Sequence, residues 1–404
     1  MPTSLPGRKL LIISGAFPPA NSGEAHHALL LSSQLAERGF DVDVLTSAGA
    51  IPAESLQVWP LMREWSWREL PLLARVLRSS SPDVVLLMYI GWIYNDHPMI
   101  TYAPTIARLL VPRARFVTQF ENVIGALPGR NGRAGQLCAL GAVGAAGVWK
   151  VHYRFGTLFR DSHGIIALSE HHRRFLTARF RSSAQKIVLI PPPPLVMLSP
   201  DTEGTRRRGR HMLGVDQRHF LVLYLGYVYP RKGLETLFRA FAMLAEDRPH
   251  ARLGLVGGPL EGFEDYADDL RRVPAELGID DKVGWRGAYP WDSTDGSTML
   301  RGADVFVMPI DVGVALNNSS IGAAAAHGIP LVATRGEQTE PAFRDRENVL
   351  LCRPLDPEGM AEAIKTVMDD DRLRQRLAHG ARRLAEEWFS WGKAVDRTIA
   401  TFRD

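Results

Sequence analysis

The fold is decided by residues 9–47, which read KLLIISGAFPPANSGEAHHALLLSSQLAERGFDVDVLTS. Leu10–Ser14 is a short apolar run of the kind that forms a buried strand. Ala28–Arg38 carries apolar residues at helical spacing and stops at Gly39, a residue type that commonly ends helices, and Val42–Thr46 predicts the next strand. A strand, a helix and a second strand in this order predict a right-handed crossover and a parallel sheet covered on both faces.

The same alternation continues along the chain and predicts two α/β domains. A stiff run of prolines, Pro191–Pro194, separates two series of elements. The strands predicted before it are Asp83–Met88, Arg115–Gln119 and Gly164–Leu168; the elements predicted after it are the strands Phe220–Leu225, Arg252–Val256, Asp304–Met308 and Leu331–Ala333, a helix at Leu234–Leu244, and helices through Pro357–Phe402. We therefore expect a first domain at 1–194, a second at 195–385, and a C-terminal helix at 386–404 that packs back on the first.

The composition is that of an ordinary globular protein with more than one core. Its 404 residues exceed what one hydrophobic core usually supports. The net charge of +4 suits anionic ligands such as phosphates and is too diffuse to indicate nucleic acid. The two cysteines, Cys138 and Cys352, form no metal-binding pattern, and no stretch has the roughly 20 apolar residues of a spanning helix. Without a signal-peptide pattern, we expect a cytoplasmic protein, with peripheral contact at the inner membrane face left open.

The loop after the first strand, Gly15–Glu24, is the first candidate binding segment. It ends in Ser22 and Gly23 directly before a helix, where backbone N–H groups and the helix dipole favour an anion. A plain Gly/Pro turn is an equally good reading of the loop alone. His27 follows on the helix, where a structural role is commoner than a catalytic one, although a positioned imidazole suits acid–base work near a sugar.

The second candidate segment is GYVYPRKG at 226–233, directly after the first strand of the second domain. Gly226 allows the chain to turn, and Arg231 and Lys232 then precede a helix. Two cations beside a helix N-terminus stabilise a diphosphate that gains negative charge as it leaves. The alternative is a solvated pair of charges in a loop.

The third candidate segment is the polar run before the small-residue helix that ends at Gly328. Four short polar side chains ahead of a helix predict a second anion site, with ordinary helix capping as the alternative. These side chains are Asn317, Asn318, Ser319 and Ser320.

Three further features favour less specific roles. His171 and His172 are expected on an exposed helix rather than at a metal, and Arg206–Arg210 is expected to be a solvated linker, with a phospholipid-facing patch as the alternative. Gly125–Trp149 combines arginines with an apolar segment, which is compatible with an acceptor lid or a membrane-touching surface.

Taken together, these motifs resemble the GT-B glycosyltransferases of the retaining class called glycosyltransferase family 4. The resemblance covers nearly the whole chain and is carried best by GYVYPRKG at 226–233 and AHGIPLVAT at 326–334, in that order. It implies two Rossmann-like domains whose parallel sheets face across a cleft. It also implies that Trp285 and Arg286, in VGWRGAY, lie in the nucleoside-binding region, and that His27 occupies a position where the family often has histidine.

The chain departs from the family pattern at several positions. Two glutamates that the family commonly carries around the donor helix fall on Ala315 and Ala323 here, and the arginine that usually follows the glycine of the phosphate loop is Tyr227. The histidine often found after a strand of the first domain is replaced by Gln119-Phe120-Glu121; the acceptor-side candidates are therefore Glu121 and Asn122.

The resemblance predicts a retaining glycosyltransferase that moves a sugar from a UDP- or GDP-sugar to an acceptor such as a glycan, a lipid-linked molecule or a small natural product. The nucleotide sugar is a substrate, and we expect no cofactor, no metal and no nucleic-acid partner. Two alternatives stay open. The same fold hosts nucleotide-sugar epimerases and phosphorylases, and the missing glutamates are also compatible with a non-catalytic relative that binds a nucleotide sugar.

Overall fold

The structure is a computed structural model and describes residues 7–123, 151–152 and 154–403. The chain divides into two compact units. Unit 1 comprises Met1–Pro191 and Trp391–Asp404, and unit 2 comprises Pro192–Ser390. The segment Gly125–Trp149, for which the sequence leaves open an acceptor lid or a membrane-touching surface, lies entirely outside the described residues, and so does Cys138 within it.

Unit 1 is built on seven parallel strands, because its apolar runs are joined by helical crossovers. The strands are β1 (Lys9–Ser14), β2 (Asp41–Ser47), β3 (Gln57–Met62), β4 (Val84–Tyr89), β5 (Arg115–Phe120), β6 (Gly164–Ala167) and β7 (Ile187–Leu189). Their order in the sheet is β3-β2-β1-β4-β5-β6-β7. The order reverses between β1 and β4, and ligands of open α/β sheets bind outside the carboxyl ends of the strands at such a point.

Helices cover both faces of this sheet and bury its side chains in two clusters. The helices of unit 1 are α1 (Gly23–Glu37), α2 (Leu70–Ser80), α3 (Ala103–Leu110), α4 (Leu158–Asp161), α5 (Glu170–Arg179) and, after unit 2, α14 (Trp391–Thr401). The last of these lies in the same cluster as α1: Val395 and Phe402 are buried there, and the Phe40 and Phe402 rings meet edge to face with centroids 5.8 Å apart. Segments that precede and follow unit 2 in the sequence therefore build one core, that of unit 1.

Unit 2 repeats the plan with six parallel strands. These are β8 (Phe220–Leu225), β9 (Ala251–Val256), β10 (Val283–Arg286), β11 (Val305–Met308), β12 (Leu331–Thr334) and β13 (Leu350–Cys352), in the order β10-β9-β8-β11-β12-β13. The helices are α6 (Glu203–Met212), α7 (Leu234–Asp247), α8 (Glu264–Leu270), α9 (Val273–Glu276), α10 (Asp295–Gly302), α11 (Ser319–Ala326), α12 (Pro357–Asp369) and α13 (Asp371–Trp388). Here the strand order reverses between β8 and β11. The predicted α/β class with two parallel sheets is confirmed.

The arginine-rich segment is wrongly predicted as a solvated linker, because it forms α6 and one of its arginines is fully buried. The Arg210 guanidinium donates to Asp304 Oδ2 at 3.0 Å and to the carbonyl oxygens of Gly302 and Asp216, each at 2.9 Å. Asp304 also accepts from Arg206. The segment thus ties the start of unit 2 to the beginning of β11.

The pair His171–His172 is likewise not simply exposed. His172 is 4% exposed on α5, and burial lowers the pKa of its imidazole to about 4. Its neighbour lies on a less buried side of the same helix. Within the described residues no group of three or more potential ligands is arranged to hold a metal ion, and no helix is both long and apolar enough to cross a membrane.

Candidate functional site

The loops after β8 and β11 meet at the carboxyl edge of the unit 2 sheet. The Asp311 amide donates to the Arg231 carbonyl at 3.1 Å, which joins the two loops directly. Gly233 fits beneath this joint: its φ is +75°, and a Cβ there would stand 1.9 Å from the Pro309 carbonyl oxygen. Because only glycine fits this close approach, the sequence GYVYPRKG places its cations at the point where the strand order reverses.

Arg231 and Lys232 stand directly before α7, as the sequence predicts. Arg231 is exposed and has φ +73°, a left-handed conformation that is uncommon for residues other than glycine. Such strain is frequent at functional sites. The Lys232 ammonium lies 4.8 Å from the centroid of the Tyr229 ring, a cation–π contact that orients it.

The polar run before the small-residue helix is partly helical. Ser319 and Ser320 form the first turn of α11, and Asn318 precedes it as N-cap without a side-chain capping bond. Instead, Asn318 Oδ1 accepts from the Ala315 amide at 2.9 Å and closes the loop on itself. Ser320 faces the second candidate segment, GYVYPRKG at 226–233: its hydroxyl oxygen lies 3.4 Å from where a Cβ on Gly226 would stand. The structure therefore brings Ser320 close to Gly226.

Trp285 and Arg286 lie at the carboxyl end of β10, the edge strand on the far side of β9. The Trp285 indole N–H donates to the Gly257 carbonyl at 3.4 Å, and the Arg271 guanidinium lies 5.3 Å from its ring centroid. Arg286 is exposed. Both residues therefore lie at the same carboxyl ends of the sheet as GYVYPRKG, on a strand two positions away from β8.

Asp311 is a site residue that the sequence reasoning missed. Its Oδ1 atom is buried and has no hydrogen-bond partner among the described residues. Burial and the nearby Glu235 raise the pKa of the Asp311 carboxyl, while Arg231 opposes the rise. Buried polar atoms rarely lack a partner, so this oxygen marks the loop as unusual. The available signal was an acidic residue two positions after Pro309, the proline that directly follows β11.

The positions of the two missing glutamates hold small apolar side chains in the interior of unit 2. Ala315 is 2% exposed and Ala323 is 1% exposed. A carboxylate introduced at either position would be buried without a prepared partner, which is costly. The loop is instead tied by Glu340, whose Oε2 accepts from the Leu316 amide at 3.1 Å.

At the carboxyl edge of unit 1, His27 and Glu121 form a buried pair. His27 Nδ1 donates to Glu121 Oε2 at 3.0 Å, and the two side chains are 5% and 7% exposed. Gln119 donates to the other carboxylate oxygen at 2.6 Å. Since Nδ1 is engaged, Nε2 is the ring nitrogen left for a substrate. Glu121, the last residue of Gln119-Phe120-Glu121, is thus the partner of His27.

The remaining unit 1 candidates surround the start of α1. Ser22 is the N-cap, accepting from the Ala25 amide at 3.2 Å, and a Cβ on Gly23 would meet nothing within 4 Å. Glu24 follows, and burial raises the pKa of its carboxyl. Asn122 is half-buried, and its Oδ1 accepts from the Val123 amide rather than from the His27 pair. The donor and acceptor roles of these residues stay predictions.

Family comparison matches both units of the chain. A model described as "Glycosyl transferases group 1" matches residues 219–370, and one described as "Glycosyltransferase Family 4" matches residues 21–193. This chain is a GT-B glycosyltransferase of the family 4 type. The resemblance carried by the sequence motifs is thereby confirmed.

This glycosyltransferase is 28% identical over 420 residues to the D-inositol 3-phosphate glycosyltransferase of Geodermatophilus obscurus, covering 92% of this chain and 82% of the relative. The protein of the same name from Thermomonospora curvata is 29% identical over 250 residues, covering 59% of this chain and 56% of the relative. The chain thus spans about half the length of several of the curated relatives that it matches.

Solved structures show the same fold. Anabaena HepE, crystallised with UDP and glucose, aligns with a TM-score of 0.69 at 18% identity over 97% of this glycosyltransferase and 98% of the HepE chain. The sucrose-phosphate synthase of Thermosynechococcus elongatus aligns with a TM-score of 0.70 at 19% identity over 98% of each chain. At these identities the likeness concerns the fold alone.

Proposed function

We propose that this glycosyltransferase transfers a sugar from a nucleoside diphosphate sugar to a hydroxyl group of an acceptor. Unit 2 binds the donor and unit 1 binds the acceptor. The observation that carries the proposal is the joint between the β8 and β11 loops, which holds Arg231 and Lys232 before α7. The sugar nucleotide is the substrate, and the reaction uses no further cofactor or metal.

In the proposed reaction, the bond between the anomeric carbon and the diphosphate oxygen breaks as the acceptor oxygen bonds to that carbon. Negative charge then grows on the leaving diphosphate. The two cations and the N-terminal end of α7 stabilise this larger charge more strongly than the smaller charge of the intact diphosphate ester, which lowers the barrier. The complexes of HepE with UDP support a uridine donor.

We further propose that transfer retains the anomeric configuration, as the family resemblance implies. The leaving phosphate oxygen takes the acceptor proton, so no carboxylate nucleophile is required on the donor side. The buried alanines at 315 and 323 agree with this, because they supply no carboxylate at the family's usual positions. The low cysteine count of the sequence, two in 404 residues, supports a cytoplasmic location.

The acceptor side of the proposal rests on His27. Its ring is held by Glu121, so Nε2 has a fixed direction and accepts a hydrogen bond from an acceptor hydroxyl next to the attacking one, whose own proton goes to the leaving phosphate oxygen. Such an interaction orients the attacking oxygen, and orientation alone lowers the barrier considerably. Glu121 acts through His27 and is a positioning residue.

The test begins with binding. Calorimetric titration of the full chain with UDP, GDP, UDP-glucose and GDP-mannose should show binding of at least one nucleotide. Lys232→Ala should weaken it about tenfold, the equivalent of roughly 1.4 kcal/mol. Arg239→Ala, an exposed arginine further along α7, is the matched control and should bind as the parent does.

Turnover is measured as acceptor-dependent release of the nucleoside diphosphate, and the product configuration by NMR of the anomeric proton. Binding of no nucleotide sugar would contradict the donor site. Binding without release for any acceptor would favour the non-catalytic alternative. An inverted product would overturn retention while leaving sugar transfer intact.

A further inference from the structure

The loops after β3 and β4 carry an aromatic surface that the proposed function leaves unexplained. Both loops lie at the carboxyl edge of the unit 1 sheet, the edge where ligands of such sheets bind. Trp67 belongs to the first loop and His97 to the second. The Trp67 indole is 48% exposed, so a large apolar ring faces solvent on the unit proposed to bind the acceptor.

The first loop is held rigid by a single carboxylate. Glu69 accepts hydrogen bonds from the backbone amides of Arg63, Glu64 and Trp65, at 2.8, 3.0 and 2.7 Å. The second loop is fastened to the first, since Asn95 donates to the Glu64 carbonyl at 3.1 Å. The two loops therefore behave as one braced structure.

A buried tryptophan anchors this structure to the sheet. Trp65 is 1% exposed, and its indole N–H donates to the Ser47 hydroxyl at the end of β2, at 2.8 Å. Its ring meets Tyr94 of the second loop edge to face, with centroids 4.7 Å apart. The anchor fixes the chain two residues before Trp67.

The backbone of both loops adopts conformations that side chains disfavour. Trp65, Asn95 and Asp96 have φ of 52°, 54° and 51°, in the left-handed region. Residues other than glycine persist there only where the surroundings impose the geometry, and such positions are common at ligand-binding sites. The braces described above supply that constraint.

The result is a preorganised aromatic surface made of three rings. The Trp67 ring centroid lies 5.8 Å from that of His97 and 5.5 Å from that of Tyr102. His97 Nδ1 accepts from the Met99 amide at 3.1 Å, so the ring proton of the neutral imidazole is on Nε2. Burial lowers the pKa of His97, which keeps it neutral near pH 7.

We propose that this surface, formed by Trp67, His97 and Tyr102, binds a ring of a neutral carbohydrate acceptor. The proposal rests on the proposed function and names its acceptor class. The apolar face of a sugar ring covers the exposed indole, and the His97 Nε2–H donates to a ring hydroxyl. A rigid aromatic side chain gives large contact area at little cost in conformational entropy.

The charges at the surface favour a neutral ligand over a phosphorylated one. Residues 63–69 contain two arginines and two glutamates, so their formal charges cancel. Asp96 of the second loop adds a negative charge, and Arg160, whose charge acts on Tyr102, is paired with Asp161. The histidine that faces the ligand is neutral, whereas phosphate binds best to cations. A phosphorylated polyol, such as the acceptor named for the curated relatives, therefore fits this surface less well.

The probes are the methyl glycosides of glucose, galactose, mannose and N-acetylglucosamine, together with glucose 6-phosphate and inositol 1-phosphate. Each is added at millimolar concentration to the full chain and followed by saturation-transfer NMR. At least one neutral glycoside should bind. Trp67→Ala should weaken that binding at least tenfold, and Trp67→Phe should largely preserve it.

Phe175→Ala removes another exposed aromatic side chain of unit 1, on α5, and should leave glycoside binding unchanged. The thermal midpoint of each variant is measured alongside, and UDP titration reports the donor site separately. Failure of every neutral glycoside to bind, unchanged binding in Trp67→Ala, or binding of the phosphorylated probes alone would overturn the proposal. If UDP still binds in those cases, the proposed function stands without this acceptor class.

Discussion

Arg231 combines a backbone strain with a charge, and a single substitution separates the two. Glycine adopts φ +73° without steric cost, so Arg231→Gly should leave the thermal midpoint unchanged or slightly higher. The same change removes a cation from the proposed diphosphate site. We expect kcat to fall roughly 100-fold, the scale observed for losing one preorganised electrostatic group.

Steady-state kinetics and a thermal melt check this prediction, with Lys232→Ala as the companion variant that keeps the backbone strain. Near-parental turnover in both would show that these cations do not meet the leaving diphosphate. A loss of turnover accompanied by a much lower thermal midpoint would instead assign Arg231 a structural role.

At the scale of an element, α6 depends on one buried guanidinium. Arg210→Ala removes one of the two guanidinium partners of Asp304 and leaves buried carbonyl oxygens without their donor, and each unsatisfied buried acceptor costs about 1–3 kcal/mol. Urea unfolding measures the loss. Arg207→Ala, an exposed neighbour on the same helix, is the control and should change stability by less than about 0.5 kcal/mol. Equal effects of the two variants would contradict the structural role of Arg210.

The first turn of α11 gives a second prediction at this scale. The capping residue is Asn318, and its side chain bonds the Ala315 amide, so the hydroxyls of Ser319 and Ser320 are not the helix cap. The double variant Ser319→Ala/Ser320→Ala should raise the donor KM several-fold with a nearly unchanged thermal midpoint. A large drop in stability with an unaltered KM would show that the hydroxyls serve the helix rather than the donor.

At the scale of the whole molecule, each unit contains a buried neutral histidine. Burial lowers the pKa of His172 in unit 1 and of His327 in unit 2 to about 4. The unfolded chain, with an ordinary histidine pKa near 6.5, binds more protons between these values, so the free energy of unfolding decreases as pH falls from about 6.5 to about 4. Each histidine contributes a slope of up to roughly 1.4 kcal/mol per pH unit.

Denaturation curves at several pH values test this dependence. His172→Gln and His327→Gln should each flatten the curve over the same window, because glutamine takes up no proton there. An unchanged slope in both variants would mean that other groups govern the acid sensitivity.

The central strands could be predicted from the sequence, and most edge strands could not. Leu10–Ser14 and Phe220–Leu225 lie in the middle of their sheets and form nearly continuous apolar runs. Gln57–Met62 contains Pro60, which argues against a strand; at the edge of the sheet its missing N–H is tolerated. Short edge strands such as Leu350–Cys352 bury too little surface to show a clear pattern.

The site could be predicted as segments but not as contacts. Glycines and cations before helices have local signatures, which is why Arg231 and Lys232 stand out in the sequence. His27 and Glu121 are 94 positions apart, as are Arg210 and Asp304, so their pairing depends on tertiary structure alone. Asp311 shows no motif, and only its unpartnered oxygen draws attention to it.

The return of the chain to unit 1 after residue 390 affects how the protein is made. During synthesis, the strands of unit 1 emerge first, but Val395 and Phe402 of its core are added only after all of unit 2. Unit 2 is continuous in sequence and completes its own core earlier. While unit 2 is being translated, the face of the nascent sheet that α14 later covers stays uncovered, and such exposed apolar surface is where chaperones bind and aggregation begins. Synthesis of α14, rather than emergence of the strands of unit 1, is then the step that completes the core of unit 1.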